Sequence, residues 1–269
     1  MSNGSTRRTS ISDLAAKKIR HEKWAMITAY EELTASIFEE AGIPVLLVGD
    51  SAGNNFLGEV NTIPVTLEQM IMLSRAVVLG TSKAMVVADL PFGSYEKSPK
   101  QALESATRLF KEARVQAVKL EGGKKVVPQI KKLVSSGVPV MGHLGLTPQS
   151  VYALGGFKVQ GRGESAKAII KDAKALQSAG IFALVLEMVP AELATEISEA
   201  LDIPVIGIGA GNGCDAQVIV WTDLMGLTEK APKFAMAYRD LRTEISNGVS
   251  EWASDVEAGL FPSEEQTFH

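Results

Sequence analysis

Four apolar runs in this chain each close on a carboxylate: VLLVGDS reaches Asp50, MVVADLPF reaches Asp89, VKLEGG reaches Glu121 and ALVLEM reaches Glu187. Acids gathered in one cleft repel one another, and burying them is costly unless a cation joins them. Taken singly, each has a plainer role, since Asp50 before Ser51 or Asp89 before Leu90-Pro91 could cap or turn the chain. That role does not account for Asp50, Asp89 and Glu121 closing three successive runs. Lys119 stands two residues before Glu121, so on a strand both side chains leave from one face. A lysine buried there needs acids beside it, and the pair predicts a charged pocket.

The histidines decide which metal. Only His21, His143 and His269 exist, two of them near the ends of the sequence, and Cys214 is the single cysteine. A His-rich zinc site or a thiolate set cannot be assembled from these. Hard oxygen ligands favour Mg²⁺, with Mn²⁺ as a substitute. His143, in VMGHLGLTP, could donate or orient a proton, or simply be a hydrogen-bonded structural histidine. The chain has no nucleophile elbow, CxxC, Walker or HExxH motif, so covalent and phosphoryl-transfer mechanisms lack their usual signatures.

Something must bring these acids to one place. Fully apolar runs of strand length suit a parallel sheet covered by helices on both sides. Eight such strands are expected, at 25–30, 45–50, 85–90, 117–122, 139–144, 183–188, 204–209 and 218–223. Helical stretches fall between them at 34–41, 67–79, 100–113, 125–136, 164–179 and 192–201, punctuated by Pro64, Pro99, Gly42, Gly80, Gly137 and Gly180. Eight alternating units predict an α/β fold, a closed (β/α)8 TIM barrel, whose chemistry lies at the C-terminal ends of the strands. The seventh connection, GAGNGCDA, is too short to promise a helix. The glycine-rich connection 145–179 is expected to cover the mouth, and the GIGAG loop at 207–211 to pack tightly or touch a ligand. A helix over 11–19 could close the barrel floor. Residues 1–10 read as a disordered tail, and 11–269 as a single barrel domain with a C-terminal helical extension.

Composition excludes several classes of partner. A net charge of −4 and a pI near 5.6 give no basic field for nucleic acid or an anionic membrane. No apolar run approaches the length of a membrane span and no signal-type segment is seen, so a cytoplasmic enzyme is expected.

VGDS, DLPFGSYE, VKLEGG, GHLGLTPQS, GGFKVQGRG, LVLEMVPAELA and IPVIGIGAG together resemble the ketopantoate (3-methyl-2-oxobutanoate) hydroxymethyltransferase family over nearly the whole chain. The resemblance implies a barrel of the phosphoenolpyruvate/pyruvate superfamily, a Mg²⁺ site and a homo-oligomer, decameric in many members. It implies transfer of a one-carbon unit from 5,10-methylenetetrahydrofolate to 3-methyl-2-oxobutanoate on the route to pantothenate and coenzyme A. By motif, Asp50, Asp89 and Glu121 are the metal positions, Asp50, Ser51, Asp89 and Lys119 bind substrate, and Glu187 is the catalytic base. The chain departs from the family at TAYEE, where TAYD is usual, and at Ala113-Arg114-Val115, where a Gly-Ala pair is usual. A Mg-dependent carbon–carbon lyase or mutase of the same superfamily is the alternative enzyme, but the reactive-cysteine loop of the lyases is missing. A non-catalytic scaffold would be favoured by loss of a site acid, and all are present.

Overall fold

Parallel strands that end on acids close into a ring in the computed structural model, which describes residues 7–269. The strands are β1 (Trp24–Thr28), β2 (Val45–Val48), β3 (Met85–Asp89), β4 (Ala117–Glu121), β5 (Val140–Gly145), β6 (Ala183–Glu187), β7 (Val205–Ile208) and β8 (Ala216–Ile219). Each pairs in parallel with the next, and β8 pairs with β1, so the barrel has no open edge. Around it run α1 (Ile11–Ile19), α2 (Glu32–Glu40), α3 (Ala52–Asn55), α4 (Leu67–Leu79), α5 (Pro99–Arg108), α6 (Val127–Ser135), α7 (Ser165–Ala179) and α8 (Ala191–Ala200). No helix separates β7 from β8, as the short GAGNGCDA connection requires.

Local chemistry sets these boundaries. Ser10 and Asp13 form a reciprocal capping box at α1, and Thr66 and Gln69 do the same at α4. Ser98 caps α5, with Pro99 in the first turn where its missing N–H costs nothing. Among the boundaries that differ from expectation, two bear on the site or its neighbours. The last strand lies at Ala216–Ile219 rather than 218–223, because a short helix α9 (Trp221–Leu224) begins where the strand was to continue. The second strand stops at Val48, so Asp50 lies beyond it.

The strands' two-residue period sorts the interior. Trp24, Met26, Val45, Leu47, Met85, Val87, Ala117, Met141, Ala183, Val185, Ile206 and Val218 form one buried apolar cluster, and Leu14 of α1 joins it. The amino-terminal helix thus plugs the barrel as expected. Of the proposed tail, residues 1–6 lie outside the described residues, but 7–10 are tied down. The Arg8 guanidinium donates to the carbonyls of Val78, Thr81 and Ala84 at the end of α4, and Thr9 N–H donates to Lys83 O at 2.7 Å.

The chain forms two compact units, Met1–Val220 with the barrel and Trp221–His269. The second contains α9 and α10 (Leu241–Glu257), and α10 buries none of its residues. Among the described residues no helix is long and apolar enough to cross a membrane.

Candidate active site

Continuing each apolar column by two residues brings the chemistry onto the same interior face. On β3 the series runs Met85, Val87, Asp89; on β4 Ala117, Lys119, Glu121; on β5 Met141, His143; on β6 Ala183, Val185, Glu187. The register places Asp89 beside Lys119, Glu121 beside His143 and Gly145 beside Glu187. Four adjacent strands therefore deliver five titratable groups to the mouth of one barrel.

Asp50 arrives differently. It follows the strand end, its backbone N–H donates to Asp89 Oδ2 at 3.1 Å, and its side chain is buried with the others. Next to it, Ser51 Oγ lies 2.9 Å from the Tyr30 hydroxyl.

The contacts form a continuous network. Lys119 Nζ stands 3.0 Å from Asp89 Oδ1 and 3.3 Å from His143 Nδ1. His143 reaches Glu121 Oε1 through Nδ1 and Glu187 Oε2 through Nε2, each at 3.3 Å. Burial and Lys119 press the imidazole pKa down, but Glu121 and Glu187 outweigh them and push it up to about 9. The ring thus lies between two carboxylates that favour its charged form, with Nδ1 at 3.3 Å from both Glu121 Oε1 and Lys119 Nζ. Burial also works against Lys119, yet Asp89, Glu121 and Asp50 hold its ammonium above the ordinary lysine value.

The acids separate by environment. Burial raises Asp50 well above the usual carboxylate range, and repulsion from Asp89 and Glu121 adds to it. Burial raises Asp89 too, with Lys119 offsetting part. Glu121 is held low despite burial, because His143, Lys119 and the Gln149 N–H all favour its charge. Glu187 is the most open of the group, its side chain 15% exposed.

Sequence reasoning missed the neutral residue that ties the acids together. Gln149, on the loop after β5, donates from Nε2 to Asp50 Oδ2 at 2.8 Å and to Leu90 O at 3.0 Å. Its backbone N–H donates to Glu121 Oε2 at 3.0 Å, and its Oε1 accepts from the Tyr95 hydroxyl at 2.6 Å. Tyr95 in turn accepts the Glu121 N–H at 3.2 Å. Both residues lie inside quoted motifs, GHLGLTPQS and DLPFGSYE, but a neutral loop side chain carries no signal of partners so far along the chain.

Backbone geometry aims Glu187. Gly145 has φ +93°, and a Cβ there would stand 2.2 Å from Glu187 O, so only glycine allows β5 and β6 to approach this closely. Met188, directly after Glu187, is held at φ 46°, a left-handed conformation uncommon for a side-chain-bearing residue. Its N–H donates to Ile208 O, and its carbonyl accepts from Gln160 N–H.

The cluster holds more acid than its own cations offset. Four carboxylates stand with one lysine and one histidine in a buried site. Burial with mutual repulsion raises Asp50 well above the usual carboxylate range, a penalty that a divalent cation would relieve. Asp89 Oδ1, though beside Lys119, lacks a hydrogen bond of good geometry. Among the described residues no three acid, histidine or cysteine side chains are already drawn into a common ligand set, because Lys119, Gln149 and His143 lie against the acids' oxygens. The donors and their charge fit a hard cation.

The sequence pattern of the ketopantoate hydroxymethyltransferase family matches residues 8–264. The chain is 60% identical over 266 residues to 3-methyl-2-oxobutanoate hydroxymethyltransferase from Streptomyces avermitilis, covering 98% of this chain and 92% of that protein. It is 56% identical over 263 residues to the protein of the same name from Thermobifida fusca, covering 97% and 94%. Among solved structures, it resembles phosphonopyruvate hydrolase in complex with oxalate and Mg²⁺, with a TM-score of 0.63 and 10% identity, over 96% of this chain and 91% of that one. It also resembles 2,3-dimethylmalate lyase, a PEP mutase/isocitrate lyase superfamily member, with a TM-score of 0.60 and 13% identity, over 97% and 92%. These two likenesses describe the barrel, whereas the near-full-length identities speak to the kind of protein: the chain belongs to the ketopantoate hydroxymethyltransferase family.

Proposed function

We propose that this chain is a 3-methyl-2-oxobutanoate hydroxymethyltransferase, forming ketopantoate by adding a hydroxymethyl group to C3 of the oxo acid. The observation that carries the reading is the join of family membership with an acid–imidazole–lysine network at the mouth of the barrel. In this reading 5,10-methylenetetrahydrofolate donates the carbon, and the product feeds pantothenate and coenzyme A synthesis.

Asp50, Asp89 and Glu121 would hold Mg²⁺, whose charge, when bound, stabilises the enolate that develops as the C3 proton leaves. Glu187 takes that proton. It is the least buried of the acids, which suits a base that must meet substrate, and His143 fixes its orientation. Lys119 adds positive charge near the developing oxyanion, and Asp89 keeps it ionised despite burial. Ser51, braced by Tyr30, and Asp50 contact the oxo acid from the β2 side. Gln149 ties Asp50 to Glu121, donating to one from its side chain and to the other from its backbone N–H, so the two acids keep a fixed separation. Water adds to the folate-borne methylene as its two C–N bonds break in turn, releasing tetrahydrofolate with the protons on its nitrogens and a formaldehyde-level carbon. The C3 carbanion adds to that carbon, and the resulting alkoxide takes a proton to become the hydroxymethyl group.

The protein is further proposed to act in the cytoplasm as a homo-oligomer. Light scattering that gives only the 28.7 kDa of one chain at micromolar concentration would refute the assembly. The activity is tested by incubating the protein with 3-methyl-2-oxobutanoate, 5,10-methylenetetrahydrofolate and Mg²⁺ and detecting ketopantoate by mass. Failure to form it under any of these conditions sinks the reading.

A further inference from the structure

The loop after β5 crosses the barrel mouth. Near its start, the Tyr152 hydroxyl accepts from Asn61 Nδ2 at 2.9 Å, and Asn61 lies in the connection that follows β2. Farther along, Gln160 N–H donates to Met188 O at 2.9 Å, and Met188 directly follows Glu187 at the end of β6. In an eight-stranded ring β2 and β6 stand opposite each other. Residues 152–160 are therefore strapped over the site, from the side of Asp50 to the side of Glu187. Gly161 anchors the far end, seated against Leu193 and Ile169.

Two properties of this strap point to a ligand. Between His143 and Glu164 the only charged residues are Lys158 and Arg162, so the segment is cationic in a chain whose net charge is −4. Among the described residues neither side chain has an ion-pair partner or a hydrogen bond. The second property is aromatic. In the barrel unit the exposed large aromatic residues are Phe56, Phe92, Tyr152 and Phe157, at 48, 48, 76 and 61%. All four lie on connections that leave the C-terminal ends of strands. Phe56 packs on Tyr30 with ring centroids 5.9 Å apart, and Tyr30 holds Ser51, so this ring borders the site itself. Exposed aromatic faces accept flat ring systems, and free cations accept carboxylates.

We propose that the strap is the recognition element for the folate co-substrate, a reading that rests on the function proposed above. Phe157 meets the flat ring system of the donor, and Lys158 and Arg162 meet the carboxylates of its glutamate tail. The small oxo acid needs none of these groups, because its partners lie beneath the strap.

The test separates the two substrates. Saturation curves are measured for K158A/R162A and for F157A with 5,10-methylenetetrahydrofolate and with the pteroate analogue that lacks glutamate. Losing two charge-assisted contacts should raise KM for the glutamate-bearing donor about tenfold or more. KM for the pteroate analogue should stay unchanged in the double variant but rise in F157A. KM for 3-methyl-2-oxobutanoate should move less than about twofold in either. An unchanged folate KM in both variants, or an equal loss on both donors in K158A/R162A, overturns the inference. Wild-type enzyme that neither makes ketopantoate nor exchanges the C3 proton of the oxo acid sinks the functional reading instead.

Discussion

The lower and upper layers of this barrel interior share strands and a face, yet they are built on opposite principles. Below, Met85, Val87, Ala117, Met141, Ala183 and Val185 interlock without a polar atom in the side chains. One step higher, Asp89, Lys119, Glu121, His143 and Glu187 replace them. The apolar layer fixes the strands and keeps water from beneath the site. That dryness raises Asp50 and Asp89 and makes the interactions of Lys119 and His143 stronger than at a surface. The floor is stable for its own sake, whereas the mouth carries charge that folding does not require. A layer that costs stability is expected where function needs it.

The sharpest way to break the contrast is to move a charge down one step. Val87→Asp places a carboxylate in the buried apolar cluster with Met85, Met141 and Ala117, and should cost about 3–5 kcal/mol, enough to leave the barrel largely unfolded. Denaturant melts followed by circular dichroism check this. Asp89→Asn, one step up, takes from Lys119 its 3.0 Å partner but also relieves repulsion with Asp50 and Glu121. Those two acids still face that ammonium, so the change should cost less stability than Val87→Asp. Asp89→Asn should also lose metal and substrate binding together, read by calorimetry. Equal destabilisation by the two changes would erase the distinction between the layers.

Metal removal addresses the mouth alone. EDTA should abolish turnover and Mg²⁺ restore it, while the fold, followed by circular dichroism, stays intact because the lower layer needs no ion. Full activity in exhaustively chelated protein contradicts the carboxylate–cation reading.

A smaller effect is expected at the brace between the layers' charged groups. Gln149→Leu leaves Asp50, Leu90 O and the Tyr95 hydroxyl without their partner and should cost about 1–3 kcal/mol. Turnover should fall more than stability, since Asp50 loses the side-chain contact that holds it, while the backbone bond to Glu121 remains. A melt and a rate on the same preparation separate the two.

The smallest effect lies away from the mouth. Burial works to raise the Glu39 carboxyl, but hydrogen bonds from Ala84, Ser82 and Lys83 hold it below its ordinary value. Its contribution is present above the unfolded carboxylate pKa and is lost as pH falls through the lower folded value. Glu39→Gln should therefore flatten the acid limb of a stability–pH profile by about 1 kcal/mol. An unaltered acid limb refutes it.

How much of this was legible in the sequence follows from the same contrast. The count of eight strands was readable because each apolar run is buried on both sides and bounded by turns or helix signals. Asp89, Glu121 and Glu187 were readable because carboxylates that close one apolar run after another cannot all be caps or turns. Lys119 was readable because its two-residue spacing from Glu121 puts both on one face. His143 left two roles open, and only the register with Glu121 and the approach to Glu187 place it between two acids. Asp50 was expected on the strand, but it reaches the site through a backbone hydrogen bond to Asp89 beyond the strand end. Gln149 and Tyr95 were not legible at all. Their roles arise from tertiary contacts between separate loops, which periodicity does not encode. The displaced eighth strand has a similar cause: the apolar pattern continues through Trp221, but a short helix takes over there.

The central claim is that the charged layer exists to remove one proton, with Glu187 as the base. The direct measurement is NMR of the C3 proton of 3-methyl-2-oxobutanoate in D₂O, with enzyme and Mg²⁺ and without folate. Wild type should exchange that proton, and Glu187→Gln should slow the exchange by about 10²–10⁴-fold while metal affinity changes little. Exchange that proceeds unchanged in Glu187→Gln would contradict the account, and loss of Mg²⁺ in that variant would make Glu187 a ligand instead.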